Sequence, residues 1–180
     1  GGKNPNIIMS DADLDIAIQG VIDGMRYTRQ GQACTAGSRV YIQEKIYDKV
    51  INGAVEKLSK LKMGNALDEG SDIGAIISEE QLKRTLHYMD IAKQTSSAKV
   101  VHGGNQPTGG DYKNGFFYEP TLMSGVPVDS PVCQEEIFGP VACAIPFKTF
   151  EEVMQSANDT PFGLSAVLWT QNLSRALEFV

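Results

Sequence analysis

The feature that most constrains this chain is an alternation: short apolar runs closed by turn residues are followed, repeatedly, by stretches in which apolar residues recur at helical spacing. Ile7-Ile8-Met9 reads as a buried strand ended by Ser10-Asp11, and Leu14, Ile18, Val21, Ile22 and Met25 then share one helical face. Ser10 or Asp11 is the expected cap. A second strand lies within Arg39 to Gln43, ahead of a helix over Ile46 to Leu61 marked by Val50, Ala54, Leu58 and Leu61. Ser78-Glu79-Glu80-Gln81 has the spacing of a capping box and opens a helix to about Lys93, after which Lys99 to His102 reads as a strand. Phe116 to Tyr118 with Leu122-Met123 reads as strand material broken by Pro120. A strand from Val141 to Pro146 comes next, then a capping box at Thr149 to Glu152 with a helix to about Ala157. A strand from Phe162 to Trp169 and a helix from Asn172 complete the pattern. Strands alternating with helices are the mark of βαβ units. The expected fold class is therefore α/β, a three-layer α/β/α arrangement around a mostly parallel sheet.

A chain of 180 residues is long enough to bury a sizeable core. Its 16 basic residues against 22 acidic ones leave a net charge of −6, which lacks the electrostatic footprint of a nucleic-acid or anionic-membrane binder. No apolar stretch approaches the length of a membrane span. Three cysteines without C-x-x-C spacing suggest neither a disulfide framework nor a zinc site, and two separated histidines suggest no metal cluster. His87 and His102 read as structural or exposed. A reducing, cytoplasmic setting and a small-molecule or protein partner are the expectations.

The segment Arg29 to Ser38 is small, polar and without apolar period, so it reads as a loop. Cys34 lies in it among Ala33, Thr35, Ala36 and Gly37, residues too small to block an approaching substrate. Position alone leaves two readings, a nucleophile or a buried small hydrophobe. Cys133 and Cys143 fit the second reading better, the latter alternating with apolar residues in a strand.

Gly31-Gln32-Ala33-Cys34-Thr35-Ala36-Gly37-Ser38-Arg39 closely resembles the active-site cysteine motif of NAD(P)-dependent aldehyde dehydrogenases. Other segments agree in the family's order. Gly1-Gly2-Lys3-Asn4-Pro5 resembles the stretch just after the general-base glutamate, Glu135-Glu136-Ile137-Phe138-Gly139-Pro140-Val141 resembles the cofactor-side glutamate motif, and Phe162-Gly163-Leu164-Ser165-Ala166 a later signature. Together they run from end to end of the chain. The resemblance implies that the Cys34 thiolate attacks an aldehyde, that hydride passes to NAD or NADP, and that a glutamate base hydrolyses the resulting thioester. It implies an oxyanion site that includes the Cys34 N–H. Glu136 would hold the nicotinamide-ribose hydroxyls, because a carboxylate can accept two hydrogen bonds from a vicinal diol. Phe138 would pack beside the nicotinamide, and Gln81, with Arg84, would approach the adenosine ribose. Away from the motif, Glu136 reads as a solvated acid, Phe138 as core and Gln81 as an exposed helix face.

Tyr27, Thr28, Ala33 and Thr35 would line the approach of the aldehyde, and Arg26 or Arg29 would be available to a substrate carboxylate. In the family the general-base glutamate precedes the Gly-Gly-Lys segment, and the nucleotide-binding domain also lies upstream. No Gly-x-Gly-x-x-Gly fingerprint occurs here. The expectation is thus a catalytic domain over 1–180, cut at both ends, inactive alone, from a parent that is a homodimer or homotetramer. Transfer of the acyl group to coenzyme A, a non-catalytic interaction domain and an isolated thiol hydrolase are the competing readings. The last needs a His base near Cys34, and neither histidine lies in a segment with that pattern.

Overall fold

A computed structural model describes all 180 residues. Six strands, β1 (Pro5–Ile8), β2 (Arg39–Gln43), β3 (Lys99–His102), β4 (Thr121–Ser124), β5 (Val141–Phe147) and β6 (Val167–Trp169), form one sheet in the order β3-β4-β5-β2-β1-β6. Every neighbouring pair is parallel except β3 with β4. Helices α1 (Leu14–Gly24) and α2 (Tyr47–Leu58) cover one face. The other face is covered by α3 (Glu79–Gln94), α4 (Pro131–Gln134), α5 (Phe150–Asn158) and α6 (Leu173–Phe179).

The three layers arise from the period of two along each strand. Ile7, Tyr41, Met123, Cys143 and Ile145 point into the core with α3, α4 and α5, whereas Ile8, Val40, Ile42, Leu122 and Ala144 point into the core with α1 and α2. Central strands covered on both faces are largely apolar, which is why β5 reads as a continuous apolar run rather than an alternating one, while β1 buries one polar residue, Asn6.

Several boundaries differ from the sequence reading, each for a local reason. The cap of α1 is Asp13, which accepts from the Ile16 N–H. Ser10 and Asp11 are occupied elsewhere: Ser10 N–H donates to Gln43, and Asp11 accepts from the Thr170 hydroxyl. Ser78 does cap α3 through the Gln81 N–H, but the Gln81 side chain does not reach back to close the box. The Thr149–Glu152 box is complete. Phe116 to Tyr118 is not a strand, and the last strand is confined to Val167–Trp169. Residues before it leave the ladder because Ser165 N–H donates to a side chain, Asn4 Oδ1, at 3.0 Å. Cys133 falls in the unforeseen short helix α4, capped by Ser130 and started by Pro131. No helix is long and apolar enough to cross a membrane.

Two cations are buried under the sheet's leading edge. Arg39 is satisfied: Nε donates to Lys3 O, and its terminal nitrogens donate to Tyr41 Oη, Ser156 O and Ala157 O at 2.8–3.1 Å. Lys3 is 2% exposed, and desolvation holds its pKa below the ordinary 10.5. A lysine whose pKa is depressed on folding costs stability while the unfolded chain is protonated, and the cost fades as pH rises through the folded value toward 10.5. Lys3→Met is therefore expected to raise the melting temperature at neutral pH, with the gain shrinking in alkali. Thermal melts between neutral and alkaline pH check this, and a gain that grows with pH would contradict it.

Candidate active site

The parallel order β5-β2-β1-β6 places side by side the four segments that lead into those strands. Gly1 to Asn4 precede β1, Gly31 to Ser38 precede β2, Glu135 to Pro140 precede β5, and Phe162 to Ala166 precede β6. The candidate site is thus built at the amino-terminal ends of the parallel strands.

Asn4 ties three of these segments together. Its buried amide nitrogen donates to Cys34 O at 2.7 Å and to Ala36 O at 3.0 Å, while its Oδ1 accepts from Ser165 N–H. The cysteine loop is closed further by Gly37 N–H donating to Gly24 O, and Ser38 O accepts from Cys143 N–H in β5. Cys34 itself is exposed, and its backbone N–H donates to no acceptor in the protein. The site therefore offers a reachable thiol beside an uncommitted donor on an anchored loop. Ala33 is half-buried, and Thr35 and Thr28 are exposed on the same stretch.

The carboxylate segment sits against the first. Glu136 Oε1 accepts from Gly2 N–H at 2.9 Å, and a side chain at Gly1 would run into that carboxylate. One at Gly2 would meet Cys34 O. Gly2 is therefore the spacer between the cysteine loop and Glu136. Gly31 has φ +64° and lies against the Gly139 carbonyl, so both its conformation and its neighbour require glycine. A narrow cleft remains between Gly2, Gly31, Ala33, Glu136 and Phe138.

Ala33, Glu136 and Phe138 line this cleft, and Cys34 and Thr35 are exposed next to Ala33 on the cysteine loop. Gln81 reaches it only through the loop: its amide nitrogen donates to Ile137 O at 2.9 Å and Phe138 O at 2.8 Å. Tyr27 is a correction. It is fully buried, its hydroxyl donates to Thr121 O at 2.8 Å, and burial pushes that hydroxyl's pKa up, so it is core and does not line an approach to Cys34. The cause is the short 3₁₀ turn Tyr27–Arg29, which turns residue 27 inward and leaves 28 and 29 outward. Arg26 and Arg29 make no ion pair. Cys133 and Cys143 are both buried in the same core, and the neighbouring Cys143 thiol together with burial raises the pKa of the Cys133 thiol. Asn4 and Gly2 were not foreseen as site residues, because nothing in Gly-Gly-Lys-Asn-Pro announces partners 30 and 134 residues away.

Fold and site define a thiol-presenting α/β protein whose cysteine loop and carboxylate loop share the leading edge of a parallel sheet. The model of the aldehyde dehydrogenase family matches residues 1–180, and the chain belongs to that family. It is 40% identical over 98% of its length to betaine aldehyde dehydrogenase from Mesorhizobium japonicum, of which it covers 36%. Among solved structures it superposes on betaine aldehyde dehydrogenase from Staphylococcus aureus in complex with NAD+ with a TM-score of 0.95 and 37% identity. That match covers 99% of this chain and 35% of the other. The NAD+ complex of an aldehyde dehydrogenase from Bacillus cereus gives 0.93 and 38%, over 99% and 35%. The chain thus spans about a third of the length of these relatives.

Proposed function

We propose that this chain carries the cysteine-bearing catalytic domain of an enzyme that oxidises an aldehyde to a carboxylic acid. The observation that carries the reading is Cys34, exposed on a loop anchored by Asn4, with its own N–H free beside it. The Cys34 thiolate adds to the aldehyde carbon, and the Cys34 N–H donates to the oxygen that becomes negative. When bound, NAD(P) would supply the acceptor for the hydride lost from that carbon. The product on the protein is a Cys34 thioester, which water cleaves to the acid and the free thiol.

The residues present fit the nicotinamide-ribose end of the cofactor. Glu136 uses one carboxylate oxygen on Gly2 and keeps the other as an acceptor for a ribose hydroxyl, while Phe138, half-buried at the cleft, limits how far a ring can move. The family resemblance assigns the remaining cofactor contacts and the general-base glutamate to residues ahead of Gly1, so the 180-residue chain by itself is expected to acylate but turn over poorly. The parent enzyme is proposed to act in the cytoplasm as a homodimer or homotetramer.

The test is acylation with p-nitrophenyl acetate, an ester that transfers its acetyl group to a thiolate and releases nitrophenolate. About one equivalent of nitrophenolate per chain is expected, with the acetyl group on the Cys34 peptide by mass spectrometry and slow deacylation. Cys34→Ala removes the burst. An unchanged burst in that variant sinks the nucleophile assignment. Steady NAD-dependent aldehyde turnover by the chain alone would overturn the expectation that further residues are required.

A further inference from the structure

Residues 135 to 139 carry the two cofactor-side groups, yet little backbone ladder holds this loop. Three consecutive carbonyls, those of Glu136, Ile137 and Phe138, turn toward α3 and are met by side chains. Arg84 donates to Glu136 O from Nη2 at 2.6 Å and from Nε at 3.2 Å, and Gln81 Nε2 donates to the next two at 2.9 and 2.8 Å. One turn on, the Tyr88 hydroxyl donates to the Glu135 carboxylate at 2.6 Å, and Arg84 lies over the Tyr88 ring, 5.4 Å from its centroid. Thr85 fills the space against Gly139, where any side chain would collide with its hydroxyl. Positions 81, 84, 85 and 88 share one helical face, so a single stripe of α3 contacts the loop along its length.

The loop needs such a hold. Phe138 has φ +57°, a left-handed conformation that costs an aromatic residue on the order of 1 kcal/mol or more and persists only when its surroundings impose it. Its far end bears on the cysteine loop, because the Gly139 carbonyl lies against Gly31. Tyr88 keeps its proton over the whole neutral range, since burial and the bond to Glu135 raise its pKa to about 12.

We infer that Arg84 and Tyr88, with Gln81, are positioning residues: they hold the Glu135–Gly139 loop in the shape that presents Glu136 and Phe138 and seats Gly139 against the cysteine loop. Gln81 then acts through the Ile137 and Phe138 carbonyls, with its amide nitrogen committed to them rather than to a ribose. The functional meaning rests on the aldehyde dehydrogenase reading, whereas the coupling of α3 to the loop does not.

The test labels the 180-residue chain with 4-fluorophenylalanine and assigns the Phe138 resonance by its loss in Phe138→Leu. One narrow Phe138 line is expected in the parent chain. Arg84→Met should shift and broaden it, Arg84→Lys, which keeps one donor, should recover part of the change, and Tyr88→Phe should fall between, with the other phenylalanine lines unmoved. The alkylation rate of Cys34 should follow the same ranking. If Arg84→Met does not fold, Arg84→Lys and Tyr88→Phe carry the comparison. A Phe138 line and a Cys34 rate indifferent to these substitutions overturn the inference. Acetylation of Cys34 by p-nitrophenyl acetate separates the two readings. Normal acetylation with an indifferent Phe138 line sinks only the positioning role, and a responsive line without acetylation sinks only the enzymatic one.

Discussion

Treated with iodoacetamide under native conditions, the chain is expected to be alkylated at Cys34 roughly 5 × 10³-fold faster than at Cys133 or Cys143, a ratio set by a folding stability of about 5 kcal/mol. Cys34 is exposed, so reagent meets it without any opening of the fold. Cys133 and Cys143 are 0% and 1% exposed within the core between the sheet and α3, α4 and α5. They can react only from an opened state, whose population a stability of that size keeps small. Cys133 is further protected because the neighbouring Cys143 thiol and burial disfavour its thiolate. Site-resolved mass spectrometry over a time course reads all three together. Comparable rates at the three sites would mean that the core between α4 and β5 is not closed as described, whereas a protected Cys34 would remove the basis for a nucleophile.

Asn4→Leu is expected to cost about 3 kcal/mol and to loosen the cysteine loop. The substitution keeps the branched outline but is bulkier, and it strips the donor from Cys34 O and Ala36 O and the acceptor from Ser165 N–H. Leaving a buried polar group unpaired costs roughly 1–3 kcal/mol, and water can reach only part of this cluster. Urea titration measures the loss, and limited proteolysis near Cys34 and Ser165 reports where it is felt. Asn4→Asp separates hydrogen bonding from packing. It preserves shape, but it turns a carboxylate oxygen toward two carbonyls and should also destabilise at neutral pH, less so as acid protonates it. A loss below about 1 kcal/mol for Asn4→Leu would show that the amide is not what holds the loop together.

How much of this was legible beforehand depended on the range of the physics involved. The strands at Ile7, Val40 and Val141 and the helices over Leu14, Val50 and Leu82 were readable because period and capping are local properties: a residue's neighbours a few positions away decide them. The Thr149–Glu152 box closed as written. The box at Ser78 did not, because Gln81 had a better use for its amide on carbonyls 56 and 57 residues away. Tyr27 misled for a similar reason. Its place near Cys34 in the chain suggested a substrate contact, but a three-residue turn sends its hydroxyl to β4.

The class of fold, the loop around Cys34 and the identity of the segments that resemble the family's motifs came from the sequence alone. Their assembly was decided by strand order. Only with β5, β2, β1 and β6 as neighbours do the segments leading into them meet, and only then does Asn4 find Cys34 O and Ser165 N–H, or Gly2 find Glu136. Strand order is set by packing among residues far apart in the chain, with each contact satisfied through every other, so no local pattern along the sequence records it.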